Sequence, residues 1–145
     1  MPQLNISHTL ERLSGTLILI VDQKHARIIG IIDGKMVEQD IITPSIEWND
    51  RAGNFRSSGG GGISEEKYTL DEHKKRFFKE VVSKAEEFYR NNKLSSTVLM
   101  CTSQDVSIIE GLFTAEIKQN LNLIEGNYIE TNQNEILKKI EDQKI

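Results

Sequence analysis

The sequence predicts an α/β domain built on a mixed sheet, and three observations carry that prediction. From Leu17 the chain reads LILIVDQKHARIIGIIDGKMVEQDII, three β-rich segments separated by turn residues. Residues 69–91 place apolar side chains at helical spacing. The apolar run TVLMCT at 97–102 has the length and β-branched content of a buried strand, and weaker helix and strand signals alternate after it. At 145 residues the chain is expected to form a single domain over 1–145, with its core over about 16–142.

The elements follow in order. Breaks at Asp22–Lys24 and at Asp33-Gly34 divide the first stretch into strands at about 17–22, 25–32 and 35–42. Asp-Gly between β-branched residues favours a type I′ turn, which needs positive φ at both central positions, so the three strands are read as an antiparallel meander. Pro44 ends it. Residues 43–68 show no sustained period and contain Gly53 and the run of Gly59 to Gly62, so they are expected to form a long loop. Thr69-Leu70-Asp71-Glu72 has the form of a capping box, which would start a helix there. Behind it Phe77, Phe78, Val81, Val82, Ala85, Phe88 and Tyr89 form one stripe to about Asn91, which should lie on the sheet. After TVLMCT come a helix from Asp105 to about Gln119, a strand from Leu121 to Ile129, and a last helix from Asn134 to Ile140. Three antiparallel strands, then helix, strand, helix, strand, helix, is the element order of the ribonuclease H-like folds. Order alone assigns no function.

Composition narrows the function classes. The chain is 37% hydrophobic and 28% charged with two prolines, the profile of a globular protein. No basic region followed by an apolar stretch opens it, and Leu17 to Val21 is too short for a signal sequence or a membrane span, so a cytoplasmic protein without membrane insertion is expected. The net charge of −4 is uneven: residues 1–63 carry −1, 64–104 carry +1 and 105–145 carry −4. Attraction to nucleic acid must therefore be local. Cys101 cannot form an intramolecular disulfide and, inside an apolar run with no basic neighbour in sequence, reads as a buried thiol. No Cys/His cluster supports a metal site, and no cofactor is expected.

The loop and the helix after it carry a resemblance. Asp50-Arg51-x-Gly53, the aromatic Phe55, Ser58-x-Gly60 and Lys74-x-x-Phe77 match, in order, the pattern of a bacterial family known as proteins required for attachment to host cells. As a pattern the likeness spans about residues 16–142. That family is in turn similar to the middle domain of the class I translation termination factors of archaea and eukaryotes, in which a Gly-Gly-Gln loop precedes a long helix and promotes peptidyl-tRNA hydrolysis in the ribosome. Here no glutamine follows the glycine pairs, the segment between loop and helix is shorter, and Ile129-Glu130-Thr131 stands where members carry Asp-Leu-Thr. The resemblance implies a binding module for RNA or a ribosome-associated complex, acting through residues 50–64 and the start of the helix. A peptidyl-tRNA or related ester hydrolase is the alternative, and a protein-interaction module without nucleic acid is a third reading.

Read as residues, the glycine run admits either a mobile loop or a concave anion site. Successive amides of Gly59, Gly60, Gly61 and Gly62, with Arg51, Arg56, Ser57 and Ser58 beside them, could hold a phosphate or carboxylate. It is not a P-loop, since no Gly-Lys-Ser/Thr follows. Lys74 falls in the middle of the apolar stripe at 100° per residue, so its charge must escape, either by snorkelling to water or by joining the glycine loop around an anion. A two-metal nuclease would need converging carboxylates. Asp22 and Asp105 could meet at one end of the sheet, but Glu80, the third candidate, projects away from the stripe.

Overall fold

A computed structural model describes residues 6–39, 62–143 and 145, the side chains of 62–71 excepted. The chain forms α1 (Ile6–Arg12), β1 (Thr16–Val21), β2 (Ala26–Ile32), β3 (Lys35–Glu38), α2 (Gly62–Asn91), β4 (Ser96–Cys101), α3 (Ser103–Leu112), α4 (Ala115–Lys118), β5 (Leu121–Glu125) and α5 (Gln133–Asp142). The five strands make one mixed sheet in the order β3-β2-β1-β4-β5. β1 pairs antiparallel with β2, from Thr16↔Ile31 to Val21↔Ala26, and parallel with β4, from Thr16↔Ser96 to Ile20↔Met100. β3 extends the antiparallel side and β5 the parallel side.

Turn chemistry explains the hairpin. Asp33 and Gly34 have φ of 52° and 77°, the positive pair that a type I′ turn requires, and Ile32 faces Lys35 directly across it. At the other end of β2, Asp22 closes the β1–β2 turn with its own side chain. Its Oδ1 accepts the backbone amides of Lys24 at 2.7 Å and His25 at 2.6 Å.

Every residue of β1 is buried, because helices cover both faces of the sheet. On one face Leu17, Leu19, Ile28 and Leu99 pack beneath Phe77, Phe78, Val81 and Ala85 of α2. On the other, Ile18, Ile20, Ile29, Val98 and Met100 meet Ile136, Leu137 and Ile140 of α5. Leu13 and Ile145 also belong to this second layer, so packing reaches beyond the span of 16–142 expected from sequence. α1 was not expected at all; Thr9 is buried and Arg12 bonds Glu141 on α5 and the Ile145 carbonyl.

Three boundaries differ from expectation. α2 starts at Gly62, so Thr69 to Glu72 lie inside it and do not cap its start. Residues 63–91 contain no glycine or proline, so the helix propagates back through Ser64–Tyr68 until it reaches the glycine run, whose backbone entropy opposes it. The single helix expected from Asp105 to Gln119 is two, separated by Phe113 and Thr114. Phe113 turns extended and is buried in the α2-side core, while the Thr114 amide donates to Glu86 Oε2 of α2 at 2.8 Å. Packing against α2 thus outweighs local helix continuity. β5 stops at Glu125 rather than Ile129, at Gly126 with φ 143°, over which the Tyr128 ring lies. The third expected strand covers Lys35–Glu38; its residues 40–42 lie outside the described segment.

Candidate functional site

The direction of α2 places the site. After α2 the chain returns to β4 at the sheet edge where β1 also begins, and the Ser95 amide donates to the Gly15 carbonyl at 2.7 Å. α2 therefore runs opposite to β1 and β4, and its early turns lie at the edge where both strands end. A 30-residue helix is about 45 Å long, whereas a six-residue strand is about 20 Å. Phe77 to Tyr89 supplies the buried stretch that crosses the sheet. Fifteen residues of α2, about 22 Å of helix, lie upstream of Phe77.

At that edge Lys74 meets Asp105. Lys74 Nζ is 2.8 Å from Asp105 Oδ1, and it also lies 5.9 Å from the centroid of the Phe78 ring. Asp105 is 1% exposed, while the Lys74 side chain retains 27% exposure. No hydrogen-bond donor is well aligned on Oδ1, so the contact is a charge pair rather than a directed bond. An ammonium turns freely about its last carbon, and the attraction between the two charges depends chiefly on their separation. Thr102 Oγ1, 3.5 Å from Oδ2, adds only a weak contact. Asp105 also stands in the first turn of α3, where the exposed amides favour a negative charge. Lys74 thus leaves the apolar stripe toward a carboxylate, with its side chain still partly exposed to water. Its ammonium is held by a carboxylate 31 positions along the chain.

The other reactive groups at this edge are already engaged. Burial pushes the Cys101 thiol up to about 12, and the negative charges of Asp105, Glu125 and Glu110 push the same way, so it stays protonated at neutral pH. Asp22 Oδ1 is taken by two amides, with His25 Nδ1 3.6 Å away. Glu80 lies on the exposed side of α2, 3.6 Å from Lys84. Among the described residues no group of three His, Cys, Asp or Glu could hold a metal ion.

Of the residues singled out from sequence, Arg51, Arg56, Ser57, Ser58, Gly59, Gly60 and Gly61 lie outside the described residues. Gly62 is the first residue of α2. Twelve residues of helix separate it from Lys74, a distance of about 18 Å along the axis, so Gly62 and the Lys74 ammonium do not stand at one point of the edge.

Sequence reasoning passed over the cations next to Lys74. Lys75, Arg76 and Lys79 are all exposed on the side of α2 opposite Phe77, Phe78 and Val81. Among the described residues none of the three lies within ion-pair distance of a carboxylate. The run HKKR and the helical period contained that signal.

A second polar cluster is structural. Arg27, 8% exposed, forms a bidentate pair with Glu38 at 2.7 and 3.0 Å and also donates to the carbonyls of Ile129 and Thr131. Gln133 Nε2 donates to the same glutamate at 2.9 Å. Hydrogen bonding from Arg27 holds the Glu38 carboxyl below the usual carboxylate range; its partial burial opposes this, and Gln133 and the Arg27 charge assist it.

No protein-family model and no curated protein matches the chain. Among the described residues no helix is long and apolar enough to cross a membrane.

Proposed function

We propose that the chain is a binding module for RNA or a ribosome-associated complex, with a ribonuclease H-like fold of the termination-factor middle-domain type and kinship to the host-attachment family. The binding segment is residues 50–64 together with the early turns of α2. One observation carries the reading: α2 has fifteen residues, about 22 Å, ahead of Phe77, where its buried stretch over the sheet begins, a length of helix able to present a binding surface. The alternating pattern of strands and helices, with β1 central and β4 parallel to it, supports the fold assignment.

Affinity purification from lysate, with and without ribonuclease, tests the function. The expected outcome is that RNA copurifies and that the associated proteins are lost after ribonuclease treatment. Partners that all survive the treatment would replace this reading with that of a protein-interaction module. Purified protein that releases peptide from ribosome-bound peptidyl-tRNA would replace it with that of a hydrolase.

A further inference from the structure

We infer that the solvent face of α2 is a contact surface for the phosphate backbone of single-stranded RNA, with Lys75, Arg76 and Lys79 as its contact residues. The inference rests on the RNA-binding reading above and moves its electrostatic part from the glycine segment and Lys74 to a different face. Lys74 is bound to Asp105, so an anion would have to compete with a buried carboxylate for it. Lys75, Arg76 and Lys79 face no such competitor among the described residues.

Helical geometry groups them. Positions 75 and 79 are four apart and 76 and 79 three apart, so the three side chains stand on neighbouring turns of one face, within about 6 Å of rise. They flank the point where the helix meets the sheet, Lys75 and Arg76 just before the buried Phe77 and Phe78 and Lys79 just after them. From Glu72 to Asn91 the exposed face carries five cations against three carboxylates, in a chain whose net charge is −4. A locally positive face on an acidic protein concentrates polyanions at that face and repels them elsewhere.

The same face argues for nucleic acid rather than a protein partner. Every exposed residue of α2 from Glu72 to Asn91 is polar or charged. Protein interfaces draw their affinity from a few desolvated aromatic or apolar anchors, and this face has none. Binding to phosphates needs none, because release of condensed counterions supplies most of the free energy.

The test uses the full chain and a fluorescein-labelled single-stranded oligouridylate, titrated across a series of salt concentrations. Replacing Lys75, Arg76 and Lys79 together by glutamine is expected to weaken binding and to lower the slope of log affinity against log salt by about 2, roughly 0.7 for each lost contact. Lys75→Arg with Lys79→Arg is expected to keep wild-type affinity and slope, and glutamine at Lys138 and Lys139 on α5 to change neither. Thermal melts confirm that the triple variant is folded; if it is not, single replacements are each expected to lower the slope by about 0.7. If the triple variant binds like wild type while Arg51→Gln with Arg56→Gln abolishes binding, the α2 face is wrong and the RNA-binding reading survives. If wild type shows no affinity for the probe even at low salt, both fall. Equal affinity for labelled polyglutamate would also overturn the assignment to RNA.

Discussion

Lys74 and Asp105 show how one charge in an apolar stripe is accommodated. The carboxylate is buried and the ammonium only partly so; the two sides of the pair therefore differ in what their loss costs. Removing the lysine strands a buried negative charge. Lys74→Ala is expected to destabilise the fold by about 2–3 kcal/mol, below the ~3–5 kcal/mol of fully buried pairs because water reaches the lysine side. Lys75→Ala, at an exposed position beside it, should cost less than about 0.5 kcal/mol. Urea denaturation of both variants checks the contrast. In the double variant Lys74→Ala with Asp105→Ala, part of the loss should be recovered, since no unpaired charge remains. The position of Lys74 on the stripe is legible from the helical period. Its partner is not, because Asp105 approaches only when α3 docks beside α2.

At the scale of elements, α2 and β2 meet where the strand has no side chain. A Cβ on Gly30 would lie 2.5 Å from Phe88 Cε2 and 2.8 Å from its Cζ, so the ring rests directly on the strand. Phe88 is 6% exposed and held between α2 and the sheet, which leaves the ring little room to turn aside. Gly30→Ala is expected to destabilise by about 1–3 kcal/mol, the usual range for overpacking a filled core. Phe88→Leu in the same background should relieve part of that loss, and thermal melts of the single and double variants measure it. The stripe of α2 that delivers Phe88 was evident from sequence, as were the strands and the Asp33-Gly34 turn, because these depend on neighbours a few positions away. The start of α2 departs from the capping-box expectation although it too is local. Thr69 and Glu72 have capping chemistry, but the helix-forming residues before them let the helix continue to Gly62.

Over the whole molecule, the Arg27–Glu38 clamp joins distant parts of the chain. It ties β2 and β3 to the segment between β5 and α5, by bonds to Ile129 and Thr131, and to the first residue of α5, Gln133. Since Glu38 has its carboxyl lowered in the folded state, its contribution is complete above the unfolded glutamate pKa of about 4.3 and is lost as pH falls through the lower folded value. Glu38→Gln is therefore expected to be less stable than wild type near neutral pH, by about 1.5–3 kcal/mol for a charge-assisted bond. The gap should narrow in acid, below the unfolded value. Urea melts of the two proteins across that range test it; a gap independent of pH would mean that the carboxylate charge contributes nothing.

Local spacing and turn chemistry were enough to read the α/β class, the three-strand meander, the positive-φ Asp33-Gly34 turn, the buried face of α2 and the burial of Cys101. Each follows from residue types within a few positions of one another, where spacing and turn chemistry act directly. The strand order β3-β2-β1-β4-β5, the break at Phe113 and Thr114, the pairing of Lys74 with Asp105 and the clamp on Arg27 come from the way the helices dock on the sheet. The clamp reaches from Arg27 across more than a hundred positions to Thr131, and Lys74 lies 31 from Asp105. Such partners meet only after the hydrophobic faces have docked the helices on the sheet, and the buried charges then settle on whatever that docking brings within reach.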